Sequence, residues 1–272
     1  MNTEVLRCPE CRGKLAPRAT TLLCTGCNAG WPLRDGIPVL YREPWVQGPD
    51  KLLRYFYDGV PRLHDPLVRY GLPLWQVGGT EAEIRQGYLR RLRLDELRPD
   101  TSPVRFLEVS VGSGASIELV RDGAAAVPHM EYWGFDLSWG MMKLARERIQ
   151  KAHQPPVHWV QGDAHALPFA DGLFDRVLHV GGIGGFRDPA KALAEMCRVA
   201  KPGAPIVVVD EQLDPNRHNG LWPRLWFRAV TFYDDRPHCP TEALPPGVTE
   251  VVEEQLSRFY YGLSFRAPAG PR

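Results

Sequence analysis

The stretch from Val104 to Asp136 constrains the fold more than any other part of the 272-residue chain. An apolar run carries Glu108 near its end and leads into a glycine-containing turn. A short helical pattern and a second apolar run ending at Asp136 follow. This order of strand, turn, helix and strand is typical of the first unit of a doubly wound α/β sheet. Gly112 and Gly114 allow the backbone to pass close to a ligand, because a Cβ there would collide with it. The sequence therefore predicts a ligand site at this turn.

The charge beside the turn indicates the kind of ligand. A dinucleotide-binding turn needs a third glycine, and Ile117 stands in that position. The carboxylate of Glu108 would repel a pyrophosphate and suits an amine-bearing cation such as S-adenosylmethionine (SAM) better. Asp136 lies about 20 residues beyond the glycines, where such folds place the carboxylate that holds a ribose diol. A tight turn without a ligand is the alternative interpretation.

The spacing Glu108-x-Ser110-x-Gly112-x-Gly114 resembles motif I of the class I SAM-dependent methyltransferases. Ser110 replaces the first glycine of that motif, a change that we expect to be tolerated if Ser110 keeps a negative φ. The resemblance implies that Glu108 orients the methionine ammonium end of SAM, through water or neighbouring backbone. It also implies that the backbone approaches SAM closely at the two glycines.

The residues from Asp136 onward extend this resemblance. In the family, the acid at this position takes the ribose hydroxyls, and the apolar side chains that follow pack against the adenine. In this sequence they are Leu137 and Met141 or Met142. The alternative for Asp136 is a capping role at the end of a strand.

The resemblance to the family continues in two segments outside motif I. Asp163 and Ala164 follow a third predicted strand and resemble the family segment whose acid accepts a hydrogen bond from the adenine amino group. The backbone N–H of Ala164 would then meet the adenine ring. Tyr57 lies in a segment resembling the one that covers the cofactor in many small-molecule methyltransferases. An amphipathic helix with aromatic core positions is the alternative there.

Five apolar runs alternate with helical patterns between residues 104 and 209, and an antiparallel pair over 248–255 and 259–265 closes the domain. Ser138 and Asp188 are predicted to cap two of these helices. This order predicts a Rossmann-like α/β fold with the seven-stranded class I methyltransferase sheet, whose last strand is antiparallel. The core over residues 100–211 most resembles the menaquinone and ubiquinone C-methyltransferases. We therefore expect a SAM-dependent methyltransferase domain over residues 100–272.

A double Cys-x-x-Cys pattern precedes this domain. In a reducing compartment, two such pairs with this spacing indicate a closed tetrahedral zinc site with a structural role. Residues 1–43 resemble the small zinc ribbons that activate RNA and protein methyltransferases, and they share the ending Arg-Asp-Gly-Ile-Pro-Val-Leu. Four unrelated buried thiols are the alternative. The predicted zinc ligands are Cys8, Cys11, Cys24 and Cys27.

The candidate catalytic residues lie at the ends of the fourth and fifth predicted strands. His179 is suited to act as a base near neutral pH, and a histidine held behind the cofactor is the alternative. Asp210 and Glu211 share the same sheet edge and would bind substrate or act as a base; a capping role is equally consistent with their position. The chemistry requires a base only if the acceptor must lose a proton.

The remaining segments are predicted to cover the site. Residues 44–49 read as a linker, and residues 50–99 as helices with breaks at Pro61, Pro66, Pro73 and Gly78-Gly79. The last of these helices is expected over residues 84–97, where apolar residues recur at helical spacing. Residues 212–247 are expected to form a substrate lid. Aromatic and apolar residues recur there at helical spacing, which predicts either an aromatic cover for an apolar acceptor or a helix packed on the core. These residues are Trp222, Trp226, Phe227, Val230 and Tyr233.

Composition limits the partners. The net charge of +1 gives no global case for nucleic acid, although the arginines over residues 84–98 leave an RNA-facing strip open. No apolar run approaches 18 residues and no signal peptide is apparent, so we expect a cytoplasmic protein without a membrane span. Transient contact with a membrane surface and the oligomeric state stay open.

Three functions compete on these grounds. The first is a methyltransferase for a small, apolar or aromatic acceptor. The second is an rRNA or tRNA base methyltransferase in which the zinc ribbon grips RNA. The third is a non-catalytic SAM-binding regulator that docks another protein through its ribbon. The quinone-enzyme-like core and the near-neutral net charge favour the first.

Overall fold

The computed structural model describes residues 3–66, 81–98, 103–127 and 129–270. Within these ranges, eleven strands form one continuous sheet in the order β1-β2-β3-β4-β7-β6-β5-β8-β9-β11-β10. The strands are β1 (Leu15–Pro17), β2 (Thr21–Cys24), β3 (Gly30–Arg34), β4 (Ile37–Leu40), β5 (Arg105–Val109), β6 (Glu131–Asp136), β7 (His158–Gly162), β8 (Arg176–Val180), β9 (Pro205–Glu211), β10 (Thr249–Gln255) and β11 (Tyr260–Arg266).

Seven α-helices accompany the sheet in the described ranges. Two of them begin at the predicted caps: the Ser138 hydroxyl accepts from the N–H of Met141, and the Asp188 carboxylate accepts from that of Lys191. The helices are α1 (Gly48–Gly59), α2 (Pro61–Pro66), α3 (Glu81–Arg91), α4 (Ile117–Gly123), α5 (Trp139–Lys151), α6 (Pro189–Val199) and α7 (Leu221–Val230). None of the described helices has the length and apolar composition needed to cross a membrane.

The central part of the sheet confirms the predicted Rossmann-like arrangement. Strands β7, β6, β5, β8 and β9 are parallel, and β11 runs antiparallel to β9 with Tyr261 opposite Asp210. Strand β10 pairs antiparallel with β11 at the far edge. Because β5, β6, β8 and β9 run parallel, their carboxyl ends share one edge of the sheet, where ligands bind in folds of this kind.

The prediction of a seven-stranded sheet is wrong in one respect, because four N-terminal strands extend it to eleven. Strand β4 lies parallel to β7, with Val39 opposite Gln161 and Leu40 opposite Gly162. Strands β3, β2 and β1 then continue outward in antiparallel pairs. An edge strand exposes unpaired N–H and C=O groups, and β4 satisfies those of β7. The N-terminal strands are therefore part of the same sheet as the α/β domain.

Alternate residues of the central strands point to opposite faces and build two cores. On β5, Phe106 belongs to one core and Leu107 to the other. The Leu107 core also contains Leu6, which precedes β1, and Trp31 of β3, both fully buried. Apolar burial on this face therefore joins the N-terminal strands to the α/β domain.

Two local differences from the sequence prediction concern residues 44–97. The helix expected over residues 84–97 ends at Arg91, since Arg93 adopts a left-handed conformation (φ 48°) and only one 3₁₀ turn follows. The predicted linker at 44–49 contains a 3₁₀ turn at Glu43–Trp45 and the start of α1. The breaks predicted at Pro73 and at Gly78-Gly79 lie outside the described residues.

Candidate functional site

The turn between β5 and α4 adopts a backbone path that needs left-handed residues. Gly112 and Gly114 have φ values of 53° and 71°. A Cβ on Gly114 would lie 3.0 Å from the Cβ of Ala145 in α5, so glycine also permits close packing of that helix. The condition set for Ser110, a negative φ, is not met, because its φ is 57°. Such a conformation costs a non-glycine residue about 1 kcal/mol or more and persists where the surrounding structure enforces it.

Asp136 ties this turn to the start of α5. One carboxylate oxygen accepts from the N–H of Gly112 at 2.8 Å, and the other accepts from the N–H of Ser138 at 2.8 Å. Burial raises the pKa of Asp136 to about 6, although these two N–H groups act in the opposite direction. A carboxylate can accept about four hydrogen bonds, so capacity for further donors is left.

Apolar residues line the same end of α5. A Cβ on Gly112 would meet the Met141 methyl group at 3.6 Å, which places that side chain against the glycine turn. Met142 is buried, and the backbone oxygen of Leu137 accepts from the side-chain amide of Gln161 at 3.0 Å. The structure thus brings Leu137 and Met141 beside Asp136, and their packing against adenine stays a prediction.

Glu108 lies beneath the turn in a buried polar network. The Tyr132 hydroxyl donates to its carboxyl group, and Ser116 is also within hydrogen-bonding reach. Ser116 in turn lies 3.1 Å from the Tyr88 hydroxyl of α3. Burial raises the pKa of Glu108 to about 7, against the effect of these hydroxyls. In this structure the side chain supports the turn from below.

This burial predicts a pH effect on stability that Glu108→Gln should remove. The unfolded chain loses the proton near the ordinary pKa of 4.5, whereas the folded chain keeps it up to about pH 7. The free energy of unfolding of the natural protein should therefore fall as pH rises through this window. Between pH 4.5 and 7.5, the free energy of unfolding of the natural protein should fall by about 3 kcal/mol more than that of the Glu108→Gln variant. Urea unfolding at pH 4.5, 6 and 7.5 measures it. Glu118→Gln, a half-buried change on α4, should keep the natural slope, and equal slopes in all three proteins would contradict the prediction.

Asp163 lies at the end of β7 with its carboxylate already engaged by the protein. It accepts from the backbone N–H of His165 at 2.9 Å, from the imidazole of His165 at 2.6 Å and from Arg187 at 2.6 Å. Burial alone would raise the pKa of Asp163, but His165 and Arg187 hold it at about 2. Ala164, the next residue, is buried. Arg187 also donates to Asp50 of α1, and nothing in the sequence marked this bridge.

Helix α1 is held over the carboxyl edge of the sheet, as a cover would be. Asp58 accepts from the Ser138 hydroxyl at 2.6 Å and from the N–H of Gly140 at 2.8 Å. The preceding residue, Tyr57, is half-buried. Burial and the nearby carboxylates of Glu211, Asp210 and Asp136 raise the pKa of the Tyr57 phenol. Tyr57 therefore lies between the predicted ribose carboxylate and the acids at the end of β9.

His179 is fully buried, so the structure does not place it at an open lip. Its Nδ1 donates to the backbone oxygen of Val109 at 3.1 Å, and burial lowers the pKa of the imidazole. Nε2 has no hydrogen-bond partner in the part of the chain that the structure describes. This arrangement favours a neutral histidine held behind the cofactor site over a base that meets the acceptor directly.

Asp210 and Glu211 have different surroundings although they are adjacent in β9. Asp210 accepts from the N–H groups of Gly182 and Gly184 at 2.9 and 2.8 Å, so it caps the loop after β8. Glu211 accepts from the Tyr233 hydroxyl at 2.9 Å, and Tyr260 is also within hydrogen-bonding reach.

Burial and the charge of Asp210 raise the pKa of Glu211 well above its ordinary value. Burial and Asp210 therefore favour the protonated form of Glu211, which lies in a group with Tyr233 and Tyr260 that we call the acid–tyrosine cluster. Sequence reasoning identified Glu211 and Tyr233 separately but did not place Tyr260 beside them.

The lid segment provides one member of that cluster. Phe227 of α7 is buried and stacks edge-to-face on Phe259, with Trp226 and Val230 packed around this pair. Tyr233 follows the helix, and Trp222 at its start is 71% exposed. Part of the pattern therefore packs on the core, and Tyr233 lies beside Glu211. A role of this segment as a cover for the acceptor stays a prediction.

The four predicted zinc ligands converge at the N-terminal end of the chain. Their sulfur atoms all lie within 4.8 Å of one another, with separations of 3.7 Å for Cys8 and Cys27 and 3.4 Å for Cys11 and Cys24. These separations are too long for disulfides and close to the roughly 3.8 Å that Zn–S bonds of about 2.3 Å give in a tetrahedron.

The two cysteine turns have the same geometry. In each, the residue after the second cysteine is left-handed, Arg12 at φ 61° and Asn28 at φ 58°, and its N–H donates to the oxygen of the first cysteine. The N–H groups of Cys27 and Gly26 lower the pKa of the Cys24 thiol to about 7, in opposition to its burial. A Cβ on Gly13 would lie 2.9 Å from the Cys24 sulfur. The residues present thus fit a tetrahedral Zn²⁺ ion.

Comparison with known proteins agrees with this architecture. Residues 107–208 match the family model described as "Methyltransferase domain". The class I methyltransferase fold is therefore present in the central domain. The chain is also similar to the structure of a SAM-dependent methyltransferase from Aquifex aeolicus, with 16% sequence identity and a TM-score of 0.51. The alignment covers 76% of this chain and 98% of that chain.

Two curated relatives are called demethylmenaquinone methyltransferase. The protein from Renibacterium salmoninarum is 40% identical over 106 residues, which cover 39% of this chain and 40% of the relative. The protein from Thermus thermophilus is 34% identical over 140 residues, covering 52% and 62%. The chain thus spans about half the length of these relatives.

Proposed function

We propose that the chain is a SAM-dependent methyltransferase for a small, apolar aromatic acceptor of the quinol class. The observation that carries the proposal is the bond between Asp136 and the N–H of Gly112, which holds a ribose-type carboxylate against a left-handed glycine turn. This geometry occurs in a domain that matches a methyltransferase family model. The quinone named in the titles of two relatives favours a small molecule over RNA as the acceptor.

The residues at the turn suit the parts of SAM. The remaining acceptor capacity of Asp136 suits two ribose hydroxyls, and Leu137 with Met141 offers an apolar wall for adenine. Asp163 and Ala164 border the adenine side, with Arg187 fixing the carboxylate. When bound, SAM supplies an electrophilic methyl group on a sulfonium; the protein positions it and excludes water.

The acid–tyrosine cluster suits an acceptor with ring oxygens. A neutral Glu211 can donate a hydrogen bond, and the hydroxyls of Tyr233 and Tyr260 can donate or accept. Such groups hold a hydroxylated ring without placing a charge beside a cationic sulfonium. Tyr57 lies near both sets of residues, which is where the acceptor and the methyl group must meet.

We further propose that the four-cysteine cluster holds one structural Zn²⁺. Four thiolates complete a tetrahedral shell and leave no open coordination position, so the ion would stabilise the fold rather than take part in methyl transfer. The contacts of the N-terminal strands with β7 and with residues 168–170 give that stabilisation a route to the methyltransferase domain.

Methyl-labelled SAM tests the proposed reaction. Zinc-loaded protein should transfer label to a reduced naphthoquinol that lacks the ring methyl group, and not to the oxidised quinone, because the hydroxylated ring is the better nucleophile. Glu211→Gln should keep this activity within about threefold, as expected for replacement of a neutral acid. Label found only in RNA would support the alternative of an rRNA or tRNA base methyltransferase. Tight SAM binding without methyl transfer to either acceptor would support the alternative of a non-catalytic SAM-binding regulator.

A further inference from the structure

Two helices near the site expose large apolar side chains to solvent. Leu221 and Trp222 of α7 are 69% and 71% exposed, values unusual for side chains of this size. Tyr55 and Phe56 follow Leu52 by three and four residues, and Leu225 follows Leu221 by four, so each helix presents a stripe; Val60 and Phe232 lie just beyond the helix ends. Together they form what we call the apolar ridge: Leu52, Tyr55, Phe56, Val60, Leu221, Trp222, Leu225 and Phe232.

The two stripes form one surface. The rings of Phe56, in α1, and Phe232, just after α7, meet edge-to-face with centroids 5.8 Å apart. Phe56 also contacts Tyr57, and Phe232 contacts Tyr233. Each ring at the junction is therefore adjacent to a tyrosine of the proposed acceptor site. The ridge thus borders the region where the acceptor would enter.

The charges beside the ridge are mainly positive. Lys51, Arg224 and Arg228 are exposed on the same two helices. Of the acids nearby, Asp58 is bonded to Ser138, and Asp235 pairs with Arg228 at 3.1 Å. Lys51 also lies over the ring of Tyr55. Exposed Trp, Tyr and Leu with flanking cations are typical of helices that lie in the interface of an anionic bilayer.

We propose that the apolar ridge docks on the surface of an anionic lipid bilayer. Leu52, Leu221 and Leu225 would enter the headgroup region, while Lys51 and Arg224 would face the lipid phosphates. The proposal rests on the proposed function in one respect: an apolar quinol dissolved in the bilayer would reach the acid–tyrosine cluster from this side. A second copy of the chain or a protein partner would satisfy the apolar residues without requiring the cations.

Vesicle sedimentation tests the docking. The anionic vesicles are phosphatidylcholine with about 30% phosphatidylglycerol, roughly one lipid in three. The natural protein should bind them at least tenfold more tightly than it binds vesicles of pure phosphatidylcholine. Leu221→Asp combined with Leu225→Asp should reduce binding to the anionic vesicles at least tenfold. The matched control is Val251→Asp with Val252→Asp, because these residues are 44% and 48% exposed on β10 at the far edge of the sheet. The control should bind like the natural protein.

A charge variant and SAM titration separate the possible outcomes. Lys51→Glu with Arg224→Glu should remove the preference for anionic vesicles. The Leu221→Asp, Leu225→Asp variant should bind SAM as the natural protein does, since neither residue belongs to the cofactor site. Equal vesicle binding by the ridge variant and its control would overturn the docking, as would a dimer that only the ridge variant dissociates. Vesicle binding without SAM binding would support the docking while contradicting the proposed function.

Discussion

Asp136→Ala should weaken SAM binding at least a hundredfold while leaving the chain folded. The substitution removes the acceptor of two backbone N–H groups, from Gly112 and Ser138, as well as the proposed partner of the ribose hydroxyls. Hydrogen bonds to a charged group contribute about 1.5–3 kcal/mol each. The loss of one or two of them corresponds to about a hundredfold in affinity, which is about 2.8 kcal/mol. Calorimetric titration of the zinc-loaded protein measures the effect.

Asp122→Ala is the matched control for this measurement. Asp122 belongs to α4, which follows the glycine turn, but its side chain is exposed. It should therefore bind SAM with the affinity of the natural protein, and both variants should keep the thermal midpoint within a few degrees. If Asp136→Ala bound SAM as tightly as Asp122→Ala, the assignment of the ribose carboxylate would be wrong. If the natural protein failed to bind SAM while folded and zinc-replete, the proposed function itself would fall.

The sequence predicted the α/β core well because its periodic features are local. Each central strand is an apolar run bounded by polar residues, and α5 and α6 begin at the predicted caps Ser138 and Asp188. The carboxyl-edge position of Asp136 then follows from parallel strand order alone. Such features depend on neighbours within a few residues, so they can be recognised without tertiary information.

The backbone of the glycine turn could not be predicted to the same degree. Ser110 adopts a conformation that serine disfavours, because its neighbours require it: the turn must bring Gly112 to Asp136, 24 residues away. Glu108 was expected to orient the ammonium end of SAM through water or neighbouring backbone, which stays a prediction; what the sequence did not indicate is its bond to Tyr132 in the next strand and its raised pKa. Both results depend on pairing between strands, which a single segment does not encode.

Pairings between distant segments also explain what sequence reasoning missed around the site. Arg187 bonds both to Asp163 and to Asp50, and Asp50 precedes Arg187 by 137 residues. Glu211 lies beside Tyr233 of the lid segment and Tyr260 of β11. The extension of the sheet has the same origin. Strand β4 is a short apolar run, and nothing local specified that it would pair with β7.

Because β4 pairs with β7, the proposed zinc site is joined to the α/β domain, and its loss should lower the stability of the chain. Cys24→Ala should abolish stoichiometric zinc binding and lower the thermal midpoint by about 10 °C or more. Structural zinc sites contribute about 10 kcal/mol or more to folding. Loss of half of that, at about 2–4 °C per kcal/mol for a domain of this size, gives the stated shift. Metal analysis and thermal unfolding measure the two effects, with about one zinc per chain expected for the natural protein.

Cys197→Ala provides the comparison because Cys197 is a buried cysteine of α6 outside the cluster. It should retain the zinc and lose only a few degrees, as expected for a small buried side chain. Unchanged zinc content in Cys24→Ala would contradict the site. A midpoint shift no larger than that of Cys197→Ala would contradict its structural role, even if the metal were lost.

Loss of the proposed zinc ion should also affect the proposed cofactor site, through the pairing of β4 with β7 and the hydrogen bonds between residues 5–7 and 168–170. Leu40 of β4 pairs with Gly162, immediately before Asp163, so loss of the ribbon would uncover the end of β7. The N–H of Arg7 donates to the oxygen of Pro168, and the N–H of Ala170 donates to the oxygen of Val5, which fixes the segment after Ala164.

We therefore expect Cys24→Ala to weaken SAM binding about tenfold at a temperature where the α/β domain is still folded, an effect worth about 1.4 kcal/mol. Cys197→Ala should bind SAM normally. Unaltered SAM affinity in a zinc-free, folded Cys24→Ala protein would show that the ribbon stabilises the chain without shaping the adenine side of the site.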